Sequence, residues 1–293
     1  MSHYTVLAII RKGSRQDLES LLAPYDENKQ VEPYVYKTKA QLIAQQIQQI
    51  EKHRRSHAAA ISLSKDEYFA IADKEDLYGG YERMKEDLPY GLDSIDLTDE
   101  AAIFRHVKRM YGDEINEDGD LISTYNPDSK WDWYEVGGRW DGSLTLKAGG
   151  RADEAKAAEI DWDAMFKLDP EEEKRYSEFW DEYVLGKLPE DIASKSEKEI
   201  DDYLCEKHGF LMYRREYYLE RYGTKAEYLR RIAIWTTYAV VDENGWHAPG
   251  EMGWFGCSDE SADAQRDWDE NFRSRFIDTL DPEDTVIVVD CHI

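Results

Sequence analysis

The two ends of the sequence, "HYTVLAII" at residues 3–10 and "DTVIVVDCHI" at residues 284–293, are apolar and rich in β-branched side chains, and they constrain the fold more than anything between them. Short apolar runs of this kind, bounded by turn signals, are buried strands. First and last strands of an α+β domain commonly lie side by side in its central sheet. The expected fold class is therefore α+β, with a mainly antiparallel sheet, a ferredoxin-like tendency, adjacent terminal strands and a helical insertion. Antiparallel pairing brings His3 towards His292. Strand alternation then sends Cys291 inward with Val289 and Ile287, and leaves His292 on the opposite face with Asp290.

Between the ends, "TKAQLIAQQIQQIEKHRR" carries Leu42, Ile43, Ile47 and Ile50 at helical spacing behind a capping Thr38. "LTDEAAIFRHVKRMYG" reads as a second helix with Ile103, Val107 and Met110 on its apolar face. "EINEDGDLISTYN" reads as a hairpin or loop leading into an aromatic stretch, with "SLTLKAGGRA" as the partner strand. The middle of the chain is charged, Tyr-rich and helical in period. The expected organisation is an α+β body over residues 1–151, a helical Tyr-rich insertion over 152–232, and the rest of the body over 233–293. In that last part Asp242–Gly245 is a hairpin turn and a final helix precedes the last strand.

Charge narrows the partners. With 63 acidic and 37 basic residues the formal charge is −26, which disfavours direct binding to nucleic acid or to anionic lipid. Acidity also permits imitation of DNA phosphates, although here it is interspersed with Lys and Arg in the manner of a solvated surface. Cys205, Cys257 and Cys291 are widely spaced, which fits a reducing, cytoplasmic setting, and the first apolar run is too short for a signal segment or a membrane span. No phosphate-binding loop, nucleophile elbow or spaced metal-ligand set occurs, so neither a metal nor another cofactor is expected.

The stretch "NPDSKWDWYEVGGRWDG", residues 126–142, concentrates aromatic rings around a Gly-Gly-Arg turn. Two readings stand. Trp133, Tyr134, Arg139 and Trp140 line a pocket for a small anionic ligand such as a nucleotide, since Arg pairs with phosphate and stacks on rings. Alternatively, Trp131, Trp133 and Trp140 hold the turn while Arg139 pairs with Glu135 or Asp141. "GWHAPGEMGWFG", with Trp254, is a second Gly- and aromatic-rich loop able to join the same wall. His3, Asn28 and His292, with Asp26, Glu27, Asp290 and Cys291, converge if the terminal strands pair. A His292–Asp290 contact there is either structural or an acid–base pair.

The segments "MSHYTVL…LAPYDEN", "YNPDSKWDWYEVGGRWDG" and "VVDCHI" resemble the hallmarks of an uncharacterised protein family encoded by bacteriophages and bacteria. That resemblance supplies context and no transferable catalytic residue. It implies a phage- or prophage-encoded accessory protein that acts in the host cytoplasm by binding and inhibiting a host protein complex, such as an antiviral defence system. With no catalytic motif present, a binding role is favoured over an enzyme, and self-association is compatible with it. Tyr203, Tyr213, Tyr217, Tyr218, Tyr222 and Tyr228 form the expected partner surface, because Tyr buries much area while losing few rotamers.

Overall fold

The structure, a computed structural model, describes residues 2–86, 91–209, 213–253 and 256–293. In chain order the elements begin with β1 (His3–Ile10), α1 (Leu18–Leu22), β2 (Tyr34–Lys37), α2 (Lys39–Ser62), α3 (Lys65–Ile71), α4 (Tyr81–Lys85), α5 (Glu100–Tyr111) and β3 (Leu121–Ser123). Four short strands follow: β4 (Trp133–Val136), β5 (Leu144–Thr145), β6 (Arg151–Ala152) and β7 (Glu154–Lys156). Then come α6 (Trp162–Met165), α7 (Pro170–Phe179), α8 (Glu190–Ala193), α9 (Glu197–His208), α10 (Arg215–Tyr222) and α11 (Lys225–Ile232). The chain closes with β8 (Ala239–Asp242), β9 (Gly245–His247), α12 (Ala262–Phe272) and β10 (Thr285–His292).

The fold is α+β, and the terminal strands are neighbours. The main sheet runs β4-β10-β1-β8-β9, with β7 pairing the first half of β10 on the side where β4 pairs its second half. β1 is antiparallel to β10 and parallel to β8; the other pairings in this sheet are antiparallel. The register sets His3 opposite His292, Thr5 opposite Asp290 and Val6 opposite Val289. Both faces of the central strands are buried, which is why these segments read as continuous apolar runs rather than as alternating ones. Leu7, Ile9, Val240, Val286 and Val288 pack with Trp268 and Phe272 of α12 on one face. Val6, Ala8, Val241, Ile287, Val289 and Cys291 pack with Leu21, Leu22 and Trp131 on the other.

The chain forms two compact units: residues 1–29 with 127–293, and residues 30–126. This division differs from the expected body and insertion. Segment 152–232 belongs to the same unit as the sheet, and its first residues supply β7, a strand of that sheet. Helices α7–α11 then build a small core of Trp180, Val184 and Tyr228 within that unit.

The second unit is held by α2, whose Thr38–Gln41 capping box satisfies its first turn, and by α5. Leu42, Val107 and Leu121 form its core beside a separate cluster of Ala60, Tyr68, Tyr81 and Met84. Two sequence expectations fail in this region. Met110 is exposed, and the apolar face of α5 is completed instead by His106 beside Ile103 and Val107. β3 pairs with the distant β2, not with "SLTL", which in the other unit supplies β5 and closes a local hairpin with β6. Among the described residues no helix is long and apolar enough to cross a membrane.

Candidate functional site

Alternation on β1 and β10 carries one face of the sheet from core to surface. Leu7, Ile9, Val286 and Val288 occupy the interior half of that face, and Thr5, His3, Asp290 and His292 continue it towards the strand ends. β4 adds Trp133 beside His292 and Glu135 beside Asp290. The result is a polar cluster on an otherwise apolar sheet face.

Its geometry is that of two His–Asp pairs set edge to edge. His3 Nδ1 lies 2.8 Å from Asp290 Oδ1, and His292 Nδ1 lies 2.6 Å from Asp132 Oδ1. The two imidazole rings sit 4.9 Å apart at 73°, and Trp133 is edge-on to both, at 6.1 and 6.5 Å. A carboxylate accepts hydrogen bonds and does not donate them, so each Nδ1 carries the proton and each neutral ring keeps its lone pair on Nε2. Among the described residues neither Nε2 has a hydrogen-bond partner. Such an arrangement offers two basic nitrogens whose tautomer and orientation are fixed from behind.

Asp290 is 1% exposed, and its burial is compensated by bonds at both oxygens: Oδ1 receives His3, while Oδ2 accepts the backbone N–H of Arg139 at 3.0 Å. The second bond needs the Gly-Gly turn. Gly137 and Gly138 adopt φ of +73° and +54°, and a Cβ on Gly138 would fall 2.5 Å from Asp290 Cβ. A Cβ on Gly137 would likewise meet Asp153, whose Oδ1 accepts the Gly142 N–H at 2.6 Å. Only glycine permits both the left-handed backbone and this approach. Asp141 lies against Asp153 too, and the hydrogen bond and charge of that second carboxyl raise its pKa.

The tryptophans of the stretch therefore do not share one role. Trp131 is buried in the second sheet core, its Nε1 donating to Leu22 O at 3.2 Å and its ring against Tyr134. Trp140 packs at the margin of the first core. Trp133 is 48% exposed and faces the histidines. The turn is held chiefly by two aspartates, not by rings. Arg139 is exposed, and among the described residues its guanidinium pairs with neither Glu135 nor Asp141 and stacks on neither Tyr134 nor Trp140.

Asn28 serves the site from behind. Its side chain donates to Asp132 O at 3.0 Å, and the Glu27 N–H donates to Trp131 O at 2.7 Å, so the Asp26–Asn28 turn fixes the segment bearing Asp132. Cys291 faces the core, where burial pushes its thiol pKa up, and takes no part. Trp254 lies outside the described residues. His292 bonds Asp132, not Asp290 as the strand alternation suggests, because neighbours two apart on one strand are farther away than a loop that folds over the strand end. Asp132 is the residue sequence reasoning missed; its only signal was its place inside the aromatic stretch.

Of the tyrosines expected as a partner surface, Tyr228 is buried, Tyr203, Tyr217, Tyr218 and Tyr222 are half-buried, and Tyr213 is exposed. Tyr228 is 4% exposed, and Tyr218 and Tyr222 pack against it. Tyr203 bonds Glu182, and Tyr213 stacks on Tyr217 at 4.1 Å. A helical segment this polar has few aliphatic residues from which to build a core, so its phenol rings supply one. Among the described residues no group of three or more His, Cys, Asp or Glu side chains is placed to hold a metal ion.

No family model, curated protein or solved structure matches the chain.

Proposed function

We propose that this protein binds a nucleotide-like phosphodiester at the His3–His292 end of the sheet and acts on it by general acid–base catalysis. The observation that carries this reading is the pair of imidazoles, each held through Nδ1 by a carboxylate and each with an unengaged Nε2. In the reaction, one Nε2 takes a proton from water as its oxygen forms a bond to phosphorus. The other imidazole, protonated, returns a proton to the alkoxide as the P–O bond to it breaks. Trp133, exposed beside both rings, supplies a face on which a base stacks, and the unpaired Arg139 supplies a partner for phosphate.

The test combines thermal shift with turnover on a panel of linear and cyclic nucleotide phosphodiesters. A ligand at about 100 times its dissociation constant stabilises the fold by about 2.7 kcal/mol. His3→Asn and His292→Asn are expected to abolish product formation while retaining the shift. Stabilisation without turnover in the wild type indicates sequestration rather than catalysis, and absence of both across the panel overturns the reading.

A second reading, in which a phage- or prophage-encoded accessory protein inhibits a host complex, draws on the resemblance of the terminal and aromatic motifs. It is favoured by one observation: Trp133 and Val136 are exposed on β4, a short strand at the sheet edge, where a partner's backbone can pair. Pull-down from host lysate with wild type and Val136→Lys separates this reading from the first, because the substitution blocks an edge contact and leaves both histidines in place.

A further inference from the structure

The unit formed by residues 30–126 contains a cavity of about 400 Å3 whose lining contradicts the charge of the chain. Gln46, Gln49 and His53 reach it from one face of α2, at spacings of three and four residues. His106, Arg109 and Met110 reach it from α5, Arg83 from α4, and Leu92 closes it. Among the described residues no lining side chain is a carboxylate, although the protein carries 63 acidic residues against 37 basic ones. Among the described residues Arg83 and Arg109 form no ion pair. His53 Nδ1 is buried there without a hydrogen-bond partner, a state that costs free energy unless a ligand or water relieves it. Burial, followed by the nearby guanidinium, lowers the pKa of both histidines, Arg83 acting on His53 and Arg109 on His106.

We propose that this cavity binds the phosphate ester of a small organic molecule, its phosphoryl oxygens held between Arg83 and Arg109 and its organic part against Leu92 and Met110. Two guanidinium forks match the several terminal oxygens of a phosphate better than the two of a single carboxylate. The Gln46 and Gln49 amides and the imidazoles add donors suited to the ester. The volume lies in the range of small-molecule sites, and a net charge of −26 disfavours a polyanion such as nucleic acid in the same place.

Calorimetric titration of the full chain with phenyl phosphate, inorganic phosphate and phenol tests this. Saturable binding of phenyl phosphate is expected, with weaker binding of inorganic phosphate and none of phenol. The double variant R83Q/R109Q, both positions being exposed, is expected to keep the wild-type melting temperature and to bind phenyl phosphate at least about tenfold more weakly, the factor carried by one charge-assisted hydrogen bond. His292→Asn, in the other unit, is expected to titrate like the wild type, which keeps this result separate from the site on the sheet. Phenol binding as well as phenyl phosphate, equal affinity in R83Q/R109Q, or no heat with millimolar phenyl phosphate overturns the proposal.

Discussion

Gly138 sits so close to Asp290 that a Cβ at that glycine would lie 2.5 Å from the aspartate's Cβ. The contact ties the Gly-Gly turn to the last strand and lets Asp290 accept the Arg139 N–H. Gly138→Ala is expected to cost about 2–4 kcal/mol, combining left-handed strain with overpacking. Gly149→Ala, at φ of +87° with open space around it, is the control and is expected to cost about 1–2 kcal/mol for strain alone. Urea midpoints of the two variants measure the difference, and equal costs contradict the steric argument.

Trp131 and Trp133 are two residues apart and are expected to respond oppositely. Trp131 is buried and hydrogen-bonded, so Trp131→Ala is expected to lose about 3–5 kcal/mol. Trp133→Ala exposes no core and is expected to cost within about 1 kcal/mol, while weakening any nucleotide that stacks on it by about 1–3 kcal/mol. Chemical denaturation and ligand titration of both variants check the pair.

Among the described residues Arg139 has no ionic partner to strand, and Arg139→Ala is expected to change stability by no more than about 0.5 kcal/mol. Its effect belongs in the ligand: affinity for nucleotide phosphodiesters is expected to fall about tenfold or more. A loss of stability of several kcal/mol by thermal melting means that the side chain has a buried partner.

Acid sensitivity is expected to arise in part at Asp284 and Glu182. For Asp284, burial opposes ionisation, but the Lys12 N–H, Arg11 and the Asp281 N–H outweigh it and hold its pKa below the ordinary value. For Glu182, burial is likewise outweighed by Lys207 and His208. A carboxyl with a lowered folded-state pKa stabilises the fold above its unfolded value and loses that contribution as pH falls through the folded one. Melting temperature is therefore expected to be sustained above about pH 4.5 and to drop below about pH 4. Asp284→Asn is expected to lower it at neutral pH and to flatten the acid limb. An acid limb as steep as that of the wild type removes Asp284 as a cause.

That both terminal segments are strands was legible in the sequence because apolar, β-branched runs are a local property, and their adjacency followed from the tendency of first and last strands in α+β domains to lie side by side. The alternating side-chain direction along a strand placed His3, Asp290 and His292 on one face and Cys291 on the other, and the register bears this out. Partner choice was not legible, because it depends on which loop crosses the strand end. Asp132 reaches His292 because the turn at Asp26–Asn28 holds its segment there, although 160 residues separate the two. Neither the two-unit division nor the pairing of Arg83 with Arg109 in one cavity between α2, α4 and α5 could be read from a charge pattern that is acidic throughout. Composition fixes that acids outnumber bases, 63 to 37; only packing decides which arginines meet one.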